Sequence, residues 1–142
     1  MVYFCCMNYL LELHYFGQVF LAMLLGGVLG WQRERWGKAA GPRTYGLVTA
    51  GAALFTILSL RVIGPSSAAL IISGIGFLCA GIIFHKRDHV EGLTTAAGLW
   101  VSAAIGMAVG VQYYILATAV TVLILVLLMI NDQGFKKSPP TT

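Results

Sequence analysis

Charge is scarce in this chain: only 10% of its 142 residues are Asp, Glu, Lys or Arg, whereas 58% are hydrophobic. The mean hydropathy is +0.85. A soluble domain could not cover so much apolar surface with polar side chains. The scarcity of charge therefore excludes an ordinary soluble domain and predicts a protein that lies in a lipid bilayer.

Ionisable side chains are also missing from the middle of every long apolar stretch. Such residues usually mark proton relays and ion paths, so their absence argues against a transporter driven by a buried carboxylate. The remaining hydroxyl oxygens are a poor cage for Mg²⁺, which favours carboxylates and retained water. No nucleophile with a neighbouring base and no metal motif is evident. We therefore expect a protein that is not an enzyme and has no evident cofactor.

The cysteines do not indicate a disulfide framework or a metal site, because the chain has three Cys residues and no C-x-x-C spacing. Cys5 and Cys6 are adjacent and Cys79 lies inside an apolar stretch, so we expect neither a disulfide nor a metal site from them. The first 11 residues have no basic region and no small-residue cleavage site. We therefore expect the first apolar stretch to remain in the mature protein.

Long uncharged runs supply the helices. A spanning helix needs about 20 apolar residues, and the last run, Gly92–Ile130, has 39 residues, enough for two. That run contains its own break at Gly110-Val111-Gln112, where Gly suits the position after a helix end. The predicted spans are 12–32, 44–62, 66–84, 94–110 and 112–131. The predicted fold is all-α, a polytopic membrane bundle of about five transmembrane helices forming one domain (1–131), with a short cytoplasmic tail (132–142).

Lys and Arg are distributed unevenly among the connections. Eight of the nine lie in the first connection, the third connection or the C-terminal tail: Arg33, Arg35, Lys38, Arg43, Lys86, Arg87, Lys136 and Lys137. Only Arg61 lies on the other side. The positive-inside rule then puts the N-terminus outside and the C-terminus in the cytoplasm. Trp31, Trp36 and Tyr45 fall near the predicted inner interface, where aromatic residues are enriched.

The first connection, "WQRERWGKAAGPRTYG" at residues 31–46, has the densest charge. The simplest interpretation is an anchor, in which the cations hold the first helical hairpin at the inner face. Glu34 and Lys38 have the favourable i, i+4 order, which would extend the first helix beyond the hydrocarbon. Because the connection is short, we also hypothesise an ion pair between Glu34 and Arg43.

Small residues form regular stripes. Ala22, Gly26 and Gly30 repeat every four residues, and so do Gly98, Ser102, Gly106 and Gly110. Such stripes mark close helix contacts in lipid. We interpret both as contacts within one protomer; a homodimer face or a backbone-lined path are the alternatives. The glycines of "SGIGFLCAGIIF", residues 73–84, favour a tight crossing with a neighbouring helix over an opened backbone.

The stretch "FHKRDHVEGLTTAAGLW", residues 84–100, carries the other group of polar side chains. His85 and His89 with nearby carboxylates are a weak metal signal, and we interpret them as solvated connection residues. In "GLTTAAG", Thr94 or Thr95 is expected to cap the start of the fourth helix.

The segments "GVLGWQRERWGKAAGPRTYGLVTAGAALF", "SGIGFLCAGIIF" and "GLTTAAGLWVSAAIGMAVG" resemble the MgtC/SapB membrane family over most of residues 18–130. The resemblance implies a multi-pass protein of the bacterial inner membrane, associated with magnesium homeostasis, growth at low Mg²⁺ and, in pathogens, survival in host cells. The positions that it marks as functional or binding are Arg33, Glu34, Arg35, Arg43, Thr44, Gly74, Gly76, Gly81, Thr94, Thr95 and Trp100.

The chain departs from the family pattern before the third helix. The family typically has Asp-Pro-x-Arg there, whereas this chain has Gly64-Pro65-Ser66-Ser67 and so lacks an acidic and a basic group. Some members also carry a soluble C-terminal domain, whose regulatory function we do not expect in a chain that ends after the fifth helix.

Two functions are compatible with these features. The favoured one is a non-enzymatic accessory or regulatory protein that docks on another membrane protein, or on a second copy, through its Gly, Ala and Ser faces. The alternative is a channel or carrier for Mg²⁺ or another small solute. Mg²⁺ is the candidate ligand or signal, the lipid bilayer is the expected surrounding partner, and no nucleic acid is expected.

Overall fold

The computed structural model describes residues 2–64, 68–85 and 90–134, with side chains from residue 9 onward in the first range. Within these ranges the chain forms five α-helices: α1 (Val2–Arg35), α2 (Pro42–Leu58), α3 (Ala68–Ala80), α4 (Leu93–Gly110) and α5 (Tyr114–Gly134). The all-α architecture with five helices in the predicted order is confirmed.

Gly37 ends α1 earlier than the charge pattern predicts. It has φ of +64°, a left-handed conformation that suits glycine after a helix end. The Lys38 amide then bonds back to the Arg33 carbonyl at 3.1 Å, so Lys38 is outside the helix. The first helix therefore extends beyond the predicted residue 32, as far as Arg35, but not through Lys38.

The second helix begins at Pro42, whose fixed φ and missing N–H suit the first helical turn. It continues without a break into a π-helical turn, Ser59–Ile63. The Gly64 amide bonds the Ser59 carbonyl at 2.8 Å, and the Ser59 hydroxyl donates to the Gly64 carbonyl at 2.8 Å. These two bonds close the end of the segment, where Gly64 has φ of +119°.

The third helix is shorter than predicted. It ends at Ala80, and Phe84–His85 instead pair with Val90–Glu91 as a two-stranded antiparallel ladder. Gly92, at φ of +85°, connects that ladder to α4. A Cβ at Gly92 would overlap the Ile82 carbonyl oxygen, so this connection requires glycine. The third helix therefore ends four residues before the predicted boundary at residue 84, because Phe84 pairs with Glu91 instead of continuing the helix.

The break between α4 and α5 lies where the sequence predicts it. Gly110 is the last residue of α4, and the left-handed residue of the turn is Gln112, with φ of +68°, rather than a glycine. The Tyr113 amide bonds the Ala108 carbonyl at 2.8 Å. The 39-residue apolar run thus holds two helices.

The second helix lies at the centre of the bundle. It packs most extensively against α1 and next against α4, while α3 and α5 contact mainly α4. The core lies between α1, α2 and α4 around fully buried Ala22, Leu29, Tyr45 and Val109. The helices that approach most closely are thus those with small-residue stripes and their common neighbour α2.

Several predictions fall outside the described parts of the chain. They concern Pro65-Ser66-Ser67, the loop residues 86–89, Lys136 and Lys137, and the side chains of Cys5, Cys6 and His85. Cys79 is within the described part and is a free, buried cysteine.

Candidate functional site

The stripe on α1 faces the N-terminal half of α2. A Cβ at Gly26 would overlap the Thr49 side chain and the Tyr45 carbonyl, and one at Gly30 would overlap Pro42 and Gly41. Ala22, the third member of the stripe, is fully buried. The two backbones therefore meet because these positions carry almost no side chain.

The stripe on α4 faces the same helix from the other side. A Cβ at Gly98 would overlap the Tyr45 hydroxyl, one at Gly106 the Thr49 carbonyl, and one at Gly110 the Ala53 carbonyl at 2.9 Å. Both stripes are thus used inside the protomer, with α2 between them. The interpretation of the stripes as contacts within one protomer is confirmed.

The glycines of α3 behave differently. Gly74 is exposed, and within the described residues a Cβ at Gly74 or Gly76 would meet nothing within 4 Å. Gly81 is also exposed and meets only the Leu78 carbonyl of its own turn, at 3.4 Å. The predicted tight crossing at these glycines is therefore wrong within the protomer, because no helix of the described part of the chain packs on this face.

An apolar groove takes the place of that crossing. It has a volume of about 490 Å³ and runs between α3 and the π-helical end of α2. Its lining residues are Phe55, Ser59, Ile63, Leu70, Ile71, Gly74, Ile75 and Leu78. We call this feature the α3 groove.

Arg33 is the most unexpected side chain in the charged connection. It is only 1% exposed, and its guanidinium donates to the Thr95 hydroxyl on α4 at 3.4 Å. The Tyr45 hydroxyl lies beside the same guanidinium and donates to the Thr95 carbonyl at 3.4 Å. Arg33 therefore joins α1, α2 and α4, and both Arg33 and Tyr45 are buried within the protomer.

The other members of the charged connection are spread over the surface. Arg35 is exposed and stacks on Trp31, with its guanidinium carbon 3.7 Å from the ring centroid. Glu34 packs against Gly41, 3.6 Å from an added Cβ there, and Arg43 is exposed on the first turn of α2. The structure thus places Glu34 beside Gly41 and Arg43 on the surface, and the Glu34–Arg43 ion pair remains a prediction.

The remaining resemblance-derived positions do not converge on one place. Thr44, Thr94 and Trp100 are exposed, Trp100 to 48%. The N-cap of α4 is Gly92 and has no side-chain cap, so neither Thr94 nor Thr95 caps the helix as predicted. The Thr95 hydroxyl is instead used by Arg33. The structure thus brings together only Arg33 and Thr95 among these positions.

Buried hydroxyls in the bundle bond to their own helices. Thr49 donates to the Tyr45 carbonyl and Thr56 to the Ala52 carbonyl, both at 2.7 Å, and Ser102 donates to the Leu99 carbonyl at 2.8 Å. These groups therefore satisfy their hydrogen-bonding needs locally instead of facing a common cavity.

Buried amides are the feature that the sequence analysis missed. Gln18, 3% exposed, donates to the Tyr114 hydroxyl of α5 at 2.9 Å and lies 3.1 Å from His14. Gln112, in the α4–α5 turn, lies 3.3 Å from the same His14 nitrogen. Gln32 is also buried, near the other end of α1. The sequence does indicate two of them, because Gln18 and Gln32 are polar residues within the otherwise apolar run of α1.

These features define a helical membrane protein. Within the described residues, α1, α2 with its π-helical end, and α4 are long and apolar enough to cross a membrane. Two further apolar helices are shorter. In the same residues, no group of three or more His, Cys, Asp and Glu side chains is arranged to hold a metal ion.

The chain belongs to the MgtC family, whose profile matches residues 19–135. It is 49% identical over 108 residues to Protein MgtC of Brucella abortus (strain 2308), which covers 73% of this chain and 45% of the relative. It is also 48% identical over 108 residues to Protein MgtC of Salmonella typhimurium (strain LT2), and this alignment covers 73% of the chain and 46% of the relative. The match therefore spans about half the length of these relatives. No solved structure matches the chain.

Proposed function

We propose that this protein is a non-enzymatic, multi-pass protein of the bacterial inner membrane that acts as an accessory or regulatory partner of another membrane protein. The process it serves is Mg²⁺ homeostasis and growth at low Mg²⁺, as the family resemblance implies. Its N-terminus lies outside and its C-terminus in the cytoplasm, because the cations of the first connection belong on the inner side.

The α3 groove is the observation that carries this proposal. The small-residue faces of α1 and α4 are already used by α2, so neither is available to a partner. The open face of α3 lets a second backbone approach closely at Gly74, and helices in lipid associate through such contacts. The occupant we propose is an apolar transmembrane helix of another protein.

The structure of the bundle interior favours this function over transport. The hydroxyls of Thr49, Thr56 and Ser102 bond to carbonyls of their own helices, and the glycines around them are in contact with α2. A solute path would need polar groups that face a shared cavity.

Filling the α3 groove should abolish the accessory function without unfolding the protein. We expect Gly74→Leu to accumulate normally but to lose support of growth at low Mg²⁺, because the new side chain occupies the space of the partner helix. Gly17→Leu is the matched control, since Gly17 also has open space at its Cβ but lies on α1. Full growth of the Gly74→Leu strain would contradict the proposal.

Photocrosslinking identifies the occupant. A benzophenone amino acid at Leu70, 72% exposed in the groove, should crosslink to another membrane protein, whereas one at Ile115, 86% exposed on α5, should not. A crosslinked product of twice the chain mass would show that the occupant is a second copy of this chain and not another membrane protein. Equal crosslinking from both positions would show that the groove has no specific occupant.

Mg²⁺ flux into proteoliposomes tests the alternative of a channel or carrier. We expect no saturable flux from the folded, correctly inserted protein, because the buried hydroxyls of Thr49, Thr56 and Ser102 bond to their own helices and do not line a shared path. Saturable flux that is lost in Glu34→Gln and Arg43→Gln would instead show a transporter with a gate in the charged connection.

A further inference from the structure

A second groove lies between α1 and α5, at the end of the bundle that carries the charged connection. Its volume is about 530 Å³. It is lined by Val28, Trp31, Gln32, Arg35, Trp36, Leu125 and Met129. We call it the α1–α5 groove. It shares no lining residue with the α3 groove and is independent of the proposed docking function.

Gln32 is the unusual member of this groove. It is only 9% exposed, yet its amide nitrogen and its amide oxygen are both buried without a hydrogen-bond partner among the described residues. Buried side-chain polar groups are nearly always bonded, so one with two unmatched atoms needs an explanation. A ligand that both accepts and donates a hydrogen bond, or is joined by a water molecule, would satisfy it.

Arg35 gives the groove a positive charge next to that amide. Its guanidinium carbon lies 3.7 Å from the centroid of the Trp31 ring, and this contact positions the charged group at the groove. Guanidinium N–H groups match phosphate oxygens in geometry and charge. The polar end of the groove therefore suits a phosphate ester.

The remaining walls of the groove are apolar. Val28 lies one helical turn before Gln32 on α1, and Leu125 and Met129 of α5 complete the apolar walls. Arg35 is the last residue of the apolar stretch Tyr9–Arg35. Lipid phosphates lie at the level where a spanning helix leaves the hydrocarbon, so the polar and apolar parts of the groove match the two parts of a lipid.

We propose that the α1–α5 groove binds one anionic phospholipid. Its phosphate accepts hydrogen bonds from Arg35 and from the Gln32 amide nitrogen, a headgroup hydroxyl or a water molecule donates to the Gln32 amide oxygen, and an acyl chain lies along Val28 and Leu125. A free phosphate ion would use only the polar end and leave the apolar walls uncovered, which is why we assign a lipid.

Thermal unfolding of the delipidated full chain in neutral detergent tests this site. We expect phosphatidylglycerol to raise the melting temperature in a saturable way, and phosphatidylcholine or inorganic phosphate to have much smaller effects. In Arg35→Gln, the apparent affinity for phosphatidylglycerol should fall about five-fold, the size expected for one cation beside an anionic headgroup. Arg43→Gln, an exposed cation near the same end of the bundle, is the matched control and should keep the wild-type affinity.

Gln32→Leu separates a lipid contact from a structural role. We expect its melting temperature without lipid to equal or exceed that of the wild type, because the substitution removes an unmatched buried amide, and its response to phosphatidylglycerol to be reduced. A lower melting temperature with an unchanged lipid response would overturn the proposal. So would equal effects of phosphatidylcholine and phosphatidylglycerol, or an effect of inorganic phosphate that equals that of the lipid.

Discussion

Arg33→Lys should lower the free energy of unfolding by roughly 1.5–3 kcal/mol, the usual contribution of hydrogen bonds to a charged group. Lysine keeps the charge but lacks the planar fork that reaches Thr95 on α4 and lies beside Tyr45 on α2. The measurement is SDS-induced unfolding in mixed micelles, followed by circular dichroism. Arg33→Gln, which also removes the charge, should be at least as destabilising.

Two controls distinguish a three-helix junction from a general effect of charge. Arg43→Gln, at an exposed position, should change the free energy of unfolding by no more than about 0.5 kcal/mol. Thr95→Val combined with Arg33→Lys should cost less than the sum of the two single changes, since both remove the same contact. Strict additivity, or equal effects at residues 33 and 43, would show that Arg33 acts as a surface cation.

Gly106→Ala should destabilise the protein by about 1–3 kcal/mol, the typical cost of overpacking. One added methyl group would overlap the Thr49 carbonyl and come within 3.1 Å of the Ala52 Cβ, so α2 and α4 must separate. Alanine forms helices better than glycine, so helix propensity alone would make this substitution stabilising. A destabilising effect would therefore come from the contact between α2 and α4. The same SDS titration measures it.

Gly51→Ala is the matched control for that substitution. Gly51 is on α2, two residues from Thr49, but a Cβ there would meet nothing within 4 Å. We expect it to be neutral or to stabilise the helix by up to about 1 kcal/mol. If Gly106→Ala were as well tolerated as Gly51→Ala, the close contact of α2 with α4 would not contribute to stability.

The accessory function and the lipid site rest on different surfaces, so their tests are independent. Loss of growth in Gly74→Leu would concern the α3 groove, whereas loss of phosphatidylglycerol selectivity in Arg35→Gln would concern the α1–α5 groove. A protein with both sites would present a partner helix on one side and a bound lipid on another.

The positions of the helices were predictable because hydropathy and chain breaks are local properties. Pro42 starts α2, and the break after Gly110 divides the last apolar run as expected. The end of α3 was not predictable in the same way. The residues that follow it are apolar, and only the pairing of Phe84 with Glu91 takes them out of the helix.

The candidate site was predictable only in part. Arg33 and Thr95 are both in the motifs that carry the resemblance, but 62 positions separate them along the chain and nothing in the spacing indicates that they touch. Gln18 and Gln32 carry neither a charge nor a hydroxyl, so the patterns of ionisable and hydroxyl side chains do not indicate them. A search for any polar residue inside an apolar run would have found both.

The sequence by itself determined that this chain lies in a membrane, that it folds into five helices and which family it resembles, because composition, hydropathy and motif order need no knowledge of contacts. The tertiary structure decided which helix faces are used. It buries Arg33 between three helices and places the stripes of α1 and α4 against α2. It leaves the glycines of α3 open and the Gln32 amide unmatched among the described residues. These outcomes depend on how each helix is rotated against its neighbours, which is set by contacts between residues far apart in the chain.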